Sequence, residues 1–257
     1  MAQPPVAEAV MDFHARLTPR PDAFDQLIAA MDATGITCAG LAAGGIVSPD
    51  VLARQVAVGG HSTADADNGR VLAACKASGG RLFPVYFANP HAGAAEYRRT
   101  AEQYRGLEIS PAIHGVGFAA DIVDELVEIA ARHRHFVYAV CLTRPGSEVA
   151  DLAALAARHR DVDFVLGHGG VSLIDFHALN TVSILPNIHV ETCGPYTAVI
   201  RRAWQQLGSQ RLVFSGEHPL QPAGVELAKY AELKMPTNEW NSIAWHNGRR
   251  LFRIEEP

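Results

Sequence analysis

Three polar residues lie where hydrophobic runs end. His14, His168 and Glu217 each follow a short, mainly hydrophobic segment of the chain. Two imidazoles and a carboxylate that converge on one site can bind a divalent metal ion such as Zn²⁺ through nitrogen and oxygen. The same groups can instead form a general acid/base cluster that uses no metal ion. The residues predict a catalytic site and leave both kinds of chemistry open.

Arg16 lies two residues after His14, in the hydrophobic segment 10–17. Side chains alternate along a strand, so His14 and Arg16 are expected to share one face. A guanidinium stays protonated and has no free lone pair, which excludes Arg16 as a metal ligand. It can instead bind a carboxylate through paired hydrogen bonds. We therefore expect a small anionic substrate beside this strand.

Further polar residues are expected near the same site. They are His114, Cys141, Thr143, Arg144, Glu191 and His218. We assign His114, Arg144 and His218, with Arg16, to substrate binding, although a single polar residue at a strand end is more often an ordinary surface group. The four cysteines are widely spaced and form no C-x-x-C pair, which argues against a zinc or redox motif. Cys141 lies in a hydrophobic run and is expected in the core.

The elements that must position these residues alternate between strand-like and helix-like segments along the whole chain. Strands are predicted at 10–14, 36–41, 81–88, 107–114, 136–142, 162–167, 188–192 and 211–215. Helices are predicted after residue 21 and at 67–78, 92–104, 120–132, 147–159, 196–207, 223–233 and 239–250. A long loop that can contain a short helix is predicted at 43–63. This order predicts an α/β fold, a (β/α)8 TIM barrel, whose catalytic residues lie at the C-terminal strand ends.

A doubly wound open sheet is the alternative fold, but no G-x-G-x-x-G segment follows the first strand. The chain shows no internal repeat, linker or break in composition, so residues 1–257 are predicted to form one domain. Hydrophobic residues make up 48% and charged residues 19%, and the net charge is -5. This charge provides no basic surface for nucleic acid or anionic membranes.

The N-terminus lacks the pattern of a signal peptide, and no hydrophobic run is long enough to cross a bilayer. With its dispersed cysteines, the chain is expected to be a reduced, cytoplasmic protein. Whether it forms a homo-oligomer is left open by the sequence.

Six segments resemble the motifs of one known family, in the family's order. They are Asp12-Phe-His14, residues 81–90, residues 107–117, Val165-Leu-Gly-His168-Gly-Gly, Phe214-Ser-Gly-Glu-His-Pro219 and Asn247-Gly-Arg-Arg-Leu-Phe252. These segments are similar to the D-x-H-x-H, R-(apolar)-N-P, G-(I/L)-K-(I/L)-H-P, H-x-G, G-(S/T)-D-x-P and N-x-x-R-L-F motifs. The chain thus resembles the amidohydrolase superfamily, in particular its amidohydrolase-related branch of decarboxylases and lactonases.

The chain departs from these motifs at several ligand positions. Arg16 replaces the second histidine of the first strand, and Glu217 replaces the aspartate of the eighth. Glu108 and Ser110 stand where the fourth-strand motif has lysine and histidine, and residues 140–142 offer no fifth-strand histidine. The resemblance then implies one of two sites. His14, His168 and Glu217 bind one Zn²⁺ or another divalent ion, or Glu217 activates water without metal, as in some lactonases of this branch.

Two functions are consistent with this pattern. The first is hydrolysis or decarboxylation of a small carboxylated substrate. Glu217 would act as general base, with His168 and His14 as metal ligands or hydrogen-bond donors. The second is a catalytically degenerate barrel that binds a ligand or partner without turnover, which the missing ligand histidines motivate.

Overall fold

Eight parallel strands form a nearly closed barrel in the computed structural model, which describes residues 7–255. Each strand pairs with the next one in the chain, so the order is β1 to β8. The strands are β1 Met11–Leu17, β2 Cys38–Ala43, β3 Leu82–Phe87, β4 Gly106–Ile109, β5 Phe136–Ala139, β6 Phe164–Leu166, β7 Ile188–Glu191 and β8 Leu212–Val213. The predicted (β/α)8 barrel is confirmed.

Helices surround the barrel. They are α1 Ala23–Thr34, α2 Pro49–Val58, α3 Asn68–Ala77, α4 Ala95–Thr100, α5 Pro111–His114, α6 Asp121–Arg132, α7 Val149–Arg158, α8 Phe176–Ser183, α9 Thr197–Leu207, α10 Ala223–Leu233, α11 Thr237–Asn241 and α12 Asn247–Phe252. A π-helical turn, Ser242–His246, joins α11 to α12. Within residues 7–255, no helix has the length and apolar character needed to cross a bilayer.

Most predicted elements are present with shifted ends, and three segments near the mouth of the barrel need comment. The fourth strand ends at Ile109, and the short helix α5 begins at Pro111, because proline cannot donate to a strand ladder but fits the first turn of a helix. Helix α2 lies in the predicted loop, with Ser48 as its N-cap and Pro49 in its first turn. Helix α8 lies in a stretch for which no element was predicted.

Strand β1 changes register against β2 between Asp12 and Ala15. Phe13 packs inside the barrel against Phe136, and His14, the next residue, also faces inward and stacks on Tyr138. Regular alternation would send two consecutive side chains to opposite faces. The irregularity therefore lets β1 contribute both to the apolar interior and to the polar mouth.

The seam between β8 and β1 is closed by isolated backbone hydrogen bonds and by the Asp12 carboxylate. Asp12 Oδ1 accepts hydrogen bonds from the Ser215 hydroxyl at 2.8 Å, from Gly216 N at 3.0 Å and from His14 N at 3.2 Å. Phe13 N donates to Phe214 O at 2.9 Å. Asp12 is thus a structural residue that fixes the two strands carrying His14 and Glu217 side by side.

Below the mouth, the barrel interior is filled by aromatic and aliphatic side chains. Phe252 of α12 packs on Phe13 and Phe136, with ring centroids 5.1 and 4.7 Å apart. A second and larger apolar layer lies between the strands and the helices, with Leu27, Leu126 and Leu155 among its buried members. The packed interior leaves the C-terminal strand ends as the place for a ligand.

Candidate active site

A cavity of about 620 Å³ opens at the C-terminal ends of the strands. Its polar lining includes Arg16, Ser110, His168, Glu217 and Gln221. Its walls are mostly apolar and include Ile46, Val47, Leu52, Val56, Leu142, Val171, Leu173 and Leu220. A few polar groups at the base of an apolar cavity are typical of a small-molecule site.

The first polar group, the β1–β4 cluster, consists of His14, Arg16 and Glu108. Arg16 Nη2 donates to Glu108 Oε1 at 2.6 Å, and Arg16 Nη1 donates to Glu108 Oε2 at 3.2 Å. His14 Nε2 lies 2.9 Å from Glu108 Oε2. Glu108 is fully buried. The cluster is a bidentate ion pair with an imidazole attached to it.

Charge within this cluster is balanced. Burial opposes ionisation of Glu108, but the Arg16 guanidinium and His14 outweigh it and lower the pKa of Glu108 to about 2. An ionised carboxylate only accepts hydrogen bonds, so Nε2 of His14 is the donor. Burial lowers the pKa of His14, which therefore favours its neutral form. While this hydrogen bond holds, Nε2 of His14 has no lone pair for a metal ion.

The second polar group, the β6–β8 cluster, consists of His168, Cys193 and Glu217. His168 Nδ1 lies 3.2 Å from Glu217 Oε2 and 3.3 Å from Cys193 Sγ. The Cys193 thiol donates to Glu217 Oε2. His168 and Glu217 line the cavity. Three different donor atoms thus meet at one point of the mouth.

The backbone holds two members of this cluster in an unfavourable conformation. His168 has φ 55° and Glu217 has φ 61°, in the left-handed region. That region costs a residue with a side chain roughly 1–2 kcal/mol. Gly167, Gly169 and Gly216 flank the two residues and allow the sharp turns after β6 and β8. Such conformations concentrate at functional sites.

Glu191 supports the β6–β8 cluster from below. Its Oε2 accepts from His168 N at 2.8 Å and its Oε1 from Cys193 N at 2.6 Å. Burial raises the pKa of Glu191 to about 7. The Tyr138 hydroxyl also donates to Glu191, at 3.1 Å, while the Tyr138 ring stacks on His14 at 4.0 Å. Tyr138 therefore contacts both clusters.

His168 and Glu217 stabilise each other as an ion pair. Burial would lower the pKa of His168, but Glu217 outweighs it and raises this pKa to about 9. Burial would raise the pKa of Glu217, but His168 outweighs it and lowers this pKa to about 2. At neutral pH the pair is a cation beside an anion. The cavity therefore offers both a proton donor and a proton acceptor.

The predicted site residues fall into two sets. Arg16, His168 and Glu217 line the cavity, whereas His14 is 5% exposed and contacts Glu108, the partner of Arg16. His14 and Arg16 both contact Glu108, as expected for two side chains on the same face of β1. The catalytic roles of these residues stay predictions.

Three predicted substrate-binding residues lie outside the cavity lining in the described part of the chain. His114 Nε2 contacts Ala64 O at 3.1 Å. Arg144 donates to the Gln55 and Val56 carbonyls near the end of α2, and His218 accepts from Arg16 N through its carbonyl at 3.0 Å. Arg144 and His218 therefore position α2 and Arg16 in this structure. Their contact with substrate stays a prediction.

Sequence reasoning missed two members of the site. Cys193 lies two residues after the end of β7, so the rule that selected the other strand-end residues applied to it as well. Glu108 was noted only as a departure from a motif. A carboxylate in a fully buried strand needs a cationic partner, and Arg16 was the cation already placed at the mouth.

The donor atoms of the β6–β8 cluster fit a divalent metal ion. The ligand atoms of His168, Cys193 and Glu217 all lie within 4.8 Å of one another. Tetrahedral coordination with zinc–ligand distances of about 2.0–2.3 Å places neighbouring donors roughly 3.3–3.6 Å apart. The separations of 3.2 and 3.3 Å from His168 are close to that range, whereas Cys193 Sγ and Glu217 Oε2 are in closer hydrogen-bond contact and would have to move apart to bind an ion. His14, the third ligand of the predicted set, is not part of this group.

Comparison with known proteins gives a family and several related folds. A family model described as amidohydrolase matches residues 11–254. The fold is similar to 5-carboxyvanillate decarboxylase from Novosphingobium aromaticivorans, complexed with manganese and 4-hydroxy-3-methoxy-5-nitrobenzoic acid (15% identity, TM-score 0.72, 96% of each chain covered). A search of curated proteins found no match.

Two further solved structures share the fold. One is a probable 2-pyrone-4,6-dicarboxylic acid hydrolase from Acinetobacter baumannii with citric acid bound (14% identity, TM-score 0.71, 95% of this chain and 99% of that chain). The other is 2,6-dihydroxybenzoate decarboxylase from Rhizobium (14% identity, TM-score 0.67, 96% and 99%). At these identities the structural likeness establishes the fold alone.

Proposed function

Because the chain belongs to the amidohydrolase family, we propose that its cavity is the active site of an enzyme that hydrolyses a small carboxylated substrate. The observation that carries this proposal is the His168–Glu217 pair, held at positive φ on the floor of the cavity. The related structures include two decarboxylases and a probable hydrolase named for carboxylated substrates, which supports the substrate class.

Arg16 is suited to bind the substrate carboxylate. Glu108 and the Ala43 carbonyl hold its guanidinium, which also lies 5.4 Å from the centroid of the Phe87 ring. Among residues 7–255, Nε of Arg16 has no hydrogen-bond partner, and Nη2 donates only to Glu108. These remaining N–H groups can donate to an anion without breaking the ion pair. Arg16 is thus a fixed anchor at the cavity floor.

Glu217 and His168 are suited to move the protons of hydrolysis. Glu217 Oε2 is occupied by His168 and Cys193, whereas Oε1 has no partner within the described residues and can accept a proton from the attacking water. His168 Nδ1 faces Glu217, so its Nε2–H is the group that donates to the substrate oxygen on which negative charge develops. The apolar walls lower the local dielectric constant and so strengthen both interactions.

A divalent ion held by His168 and Glu217 would add Lewis-acid polarisation of the substrate and lower the pKa of a bound water. Arg16, Nε2–H of His168 and Oε1 of Glu217 keep the roles given above in either case.

Substitution of Glu217 tests this proposal. Glu217→Gln keeps the shape but removes the proton acceptor, and we expect kcat to fall by about 10²–10⁴-fold. The assay is acid release from a panel of small carboxylated lactones and esters, with the exposed Glu232→Gln as control. Retention of full activity by Glu217→Gln would contradict the assignment.

Decarboxylation and binding without turnover are the other outcomes to separate. Incorporation of ¹⁸O from labelled water into the product identifies hydrolysis, whereas release of CO₂ from carboxylated aromatic acids identifies decarboxylation. One observation favours binding without turnover. Arg16 and His14 are both hydrogen-bonded to Glu108 within the protein. Calorimetric binding of the panel with no product of either kind would support that function and contradict the enzymatic one.

A further inference from the structure

We infer that His168, Cys193 and Glu217 form a nitrogen–sulfur–oxygen site for a thiophilic divalent ion, zinc rather than manganese, in which a Cys193 thiolate replaces a β1 histidine as the third protein ligand. This inference rests on the proposed function only in locating the ion in the same cavity. It concerns ligand identity and metal preference, not the reaction.

Hydrogen bonds to buried carboxylates fix the position of Cys193. Its side chain is 2% exposed, and its backbone N–H donates to Glu191 Oε1 at 2.6 Å. The next amide, Gly194 N, donates to Glu226 Oε1 at 3.2 Å. Two buried carboxylates thus fix the turn after β7. The sulfur is held 3.3 Å from His168 Nδ1 and in contact with Glu217 Oε2.

Charge and proton balance favour the ion in this place. Without an ion, the Cys193 S–H donates to Glu217. When M²⁺ binds, the metal–sulfur bond replaces the S–H bond, and that proton leaves to solvent; any proton on His168 Nδ1 leaves as well. A neutral imidazole, a thiolate and a carboxylate then carry two negative charges, which the dication neutralises. The ion and its three ligands together carry no net charge.

Contacts within the β1–β4 cluster prevent the side chains of β1 from binding the ion. His14 Nε2 donates to ionised Glu108, and the Arg16 cation lies on the same carboxylate. Within residues 7–255, the only group of three or more candidate ligand residues that meets in space is His168, Cys193 and Glu217. Three protein ligands leave a fourth tetrahedral position for water or substrate, as in catalytic zinc sites.

The thiolate predicts the metal preference. Soft sulfur ligands select zinc, whereas carboxylate and water ligands suit manganese. The decarboxylase with the similar fold is complexed with manganese. The presence of Cys193 therefore predicts a different ion for this chain from the one in that structure.

Cobalt titration tests the ligand set without any assay of activity. Metal-free protein is titrated with Co²⁺, and a thiolate-to-cobalt charge-transfer band is followed in the near ultraviolet. We expect one ion per chain and a band that is lost in Cys193→Ser. Cys141→Ser is the matched control because Cys141 is also buried and lines the same cavity. His14→Gln retains a donor for Glu108 and is expected to keep the band.

Metal competition gives the affinities. We expect Cys193→Ser, which removes a direct ligand, to weaken zinc binding by more than the roughly 10–100-fold that loss of an outer-shell partner costs. Cys193→Asp replaces sulfur by oxygen and is expected to lower the zinc-to-manganese affinity ratio. The inference is overturned if Cys193→Ser keeps the band and the zinc affinity, if Cys141→Ser loses the band, or if the wild-type protein binds neither ion.

Different results contradict the inference and the proposed function. Stoichiometric zinc with the expected band but no turnover upholds the ligand set and contradicts the reaction. Turnover by a protein that binds neither Co²⁺ nor Zn²⁺ upholds the reaction and contradicts the ligand set.

Discussion

The β1–β4 cluster and the β6–β8 cluster lie at the same end of one barrel and each contains an ion pair, yet they differ in backbone conformation and in burial. In the first cluster, Glu108 is fully buried and sits on regular strand backbone. In the second cluster, His168 and Glu217 pair with each other on strained backbone, and both line the cavity.

Charged residues at the mouth of a barrel can thus either stabilise the fold or be available for chemistry. Two of the departures from the family motifs are also explained by one contact. Arg16 replaces a histidine and Glu108 replaces a lysine, and these two residues contact each other at 2.6 Å. They form one compensated pair, because the new cation is neutralised by the new anion. Arg16 and Glu108 thus stabilise the β1 side of the mouth as one ion pair.

Removal of the Glu108 charge should produce the largest effect on stability. Glu108→Gln leaves the Arg16 cation without its anion, and we expect the free energy of unfolding to fall by about 3 kcal/mol. The measurement is denaturation by urea. Glu96→Gln is the control because Glu96 forms an exposed pair with Arg99, and it should change the stability little. Equal effects of the two substitutions would contradict a structural role for the β1–β4 cluster.

The stabilisation by Glu108 should also depend on pH. Its pKa falls from 4.5 in the unfolded chain to about 2 in the folded protein. A lowered pKa means that the contribution is present above pH 4.5 and is lost as the pH falls through the folded pKa. The difference in unfolding free energy between the wild type and Glu108→Gln should therefore narrow from pH 4.5 to about 2. A constant difference across this range would show that the carboxylate charge is not responsible.

Substitution by glycine and by alanine tests the backbone strain. The expected change in stability is smaller, and its sign should differ between the two clusters. Glu217→Gly should be more stable than Glu217→Ala by about 1 kcal/mol, because glycine accepts positive φ and alanine does not. The same comparison at His168 should give the same sign. At Glu108, on β4, glycine should instead be less stable than alanine by roughly 0.5–1 kcal/mol. Thermal or chemical unfolding of the three pairs measures this, and one common sign would contradict the contrast between the clusters.

The barrel could be predicted from sequence because its signals are local. Hydrophobic runs mark the strands, and the residues just after them, His168 and Glu217, are the ones that line the cavity. The shared face of His14 and Arg16 followed from strand alternation alone. The catalytic roles themselves stay predictions, since proximity in the mouth does not establish turnover.

The remaining features depend on contacts between distant parts of the chain. Glu108 pairs with Arg16, 92 residues away, and no local pattern encodes that contact. Cys193 looks like one more dispersed cysteine until β6, β7 and β8 place it between His168 and Glu217. Helix α8 is the exception, because its signals are local: the Asp175 side chain accepts from Ala178 N, and Ala178, Leu179 and Val182 are buried on one face. The helix spans only eight residues, and no element was predicted there.

The seam that Asp12 closes has a consequence for local opening of the barrel. β4 and β5 pair through four successive residues, whereas β8 and β1 are joined by isolated backbone bonds and one carboxylate. Local opening should therefore need the least free energy at this seam. The amide protons of Phe13 and Gly216 should exchange with deuterium before those of β5. Glu217 follows Gly216 directly, so a large ligand could gain room beside it by transient separation of two strands.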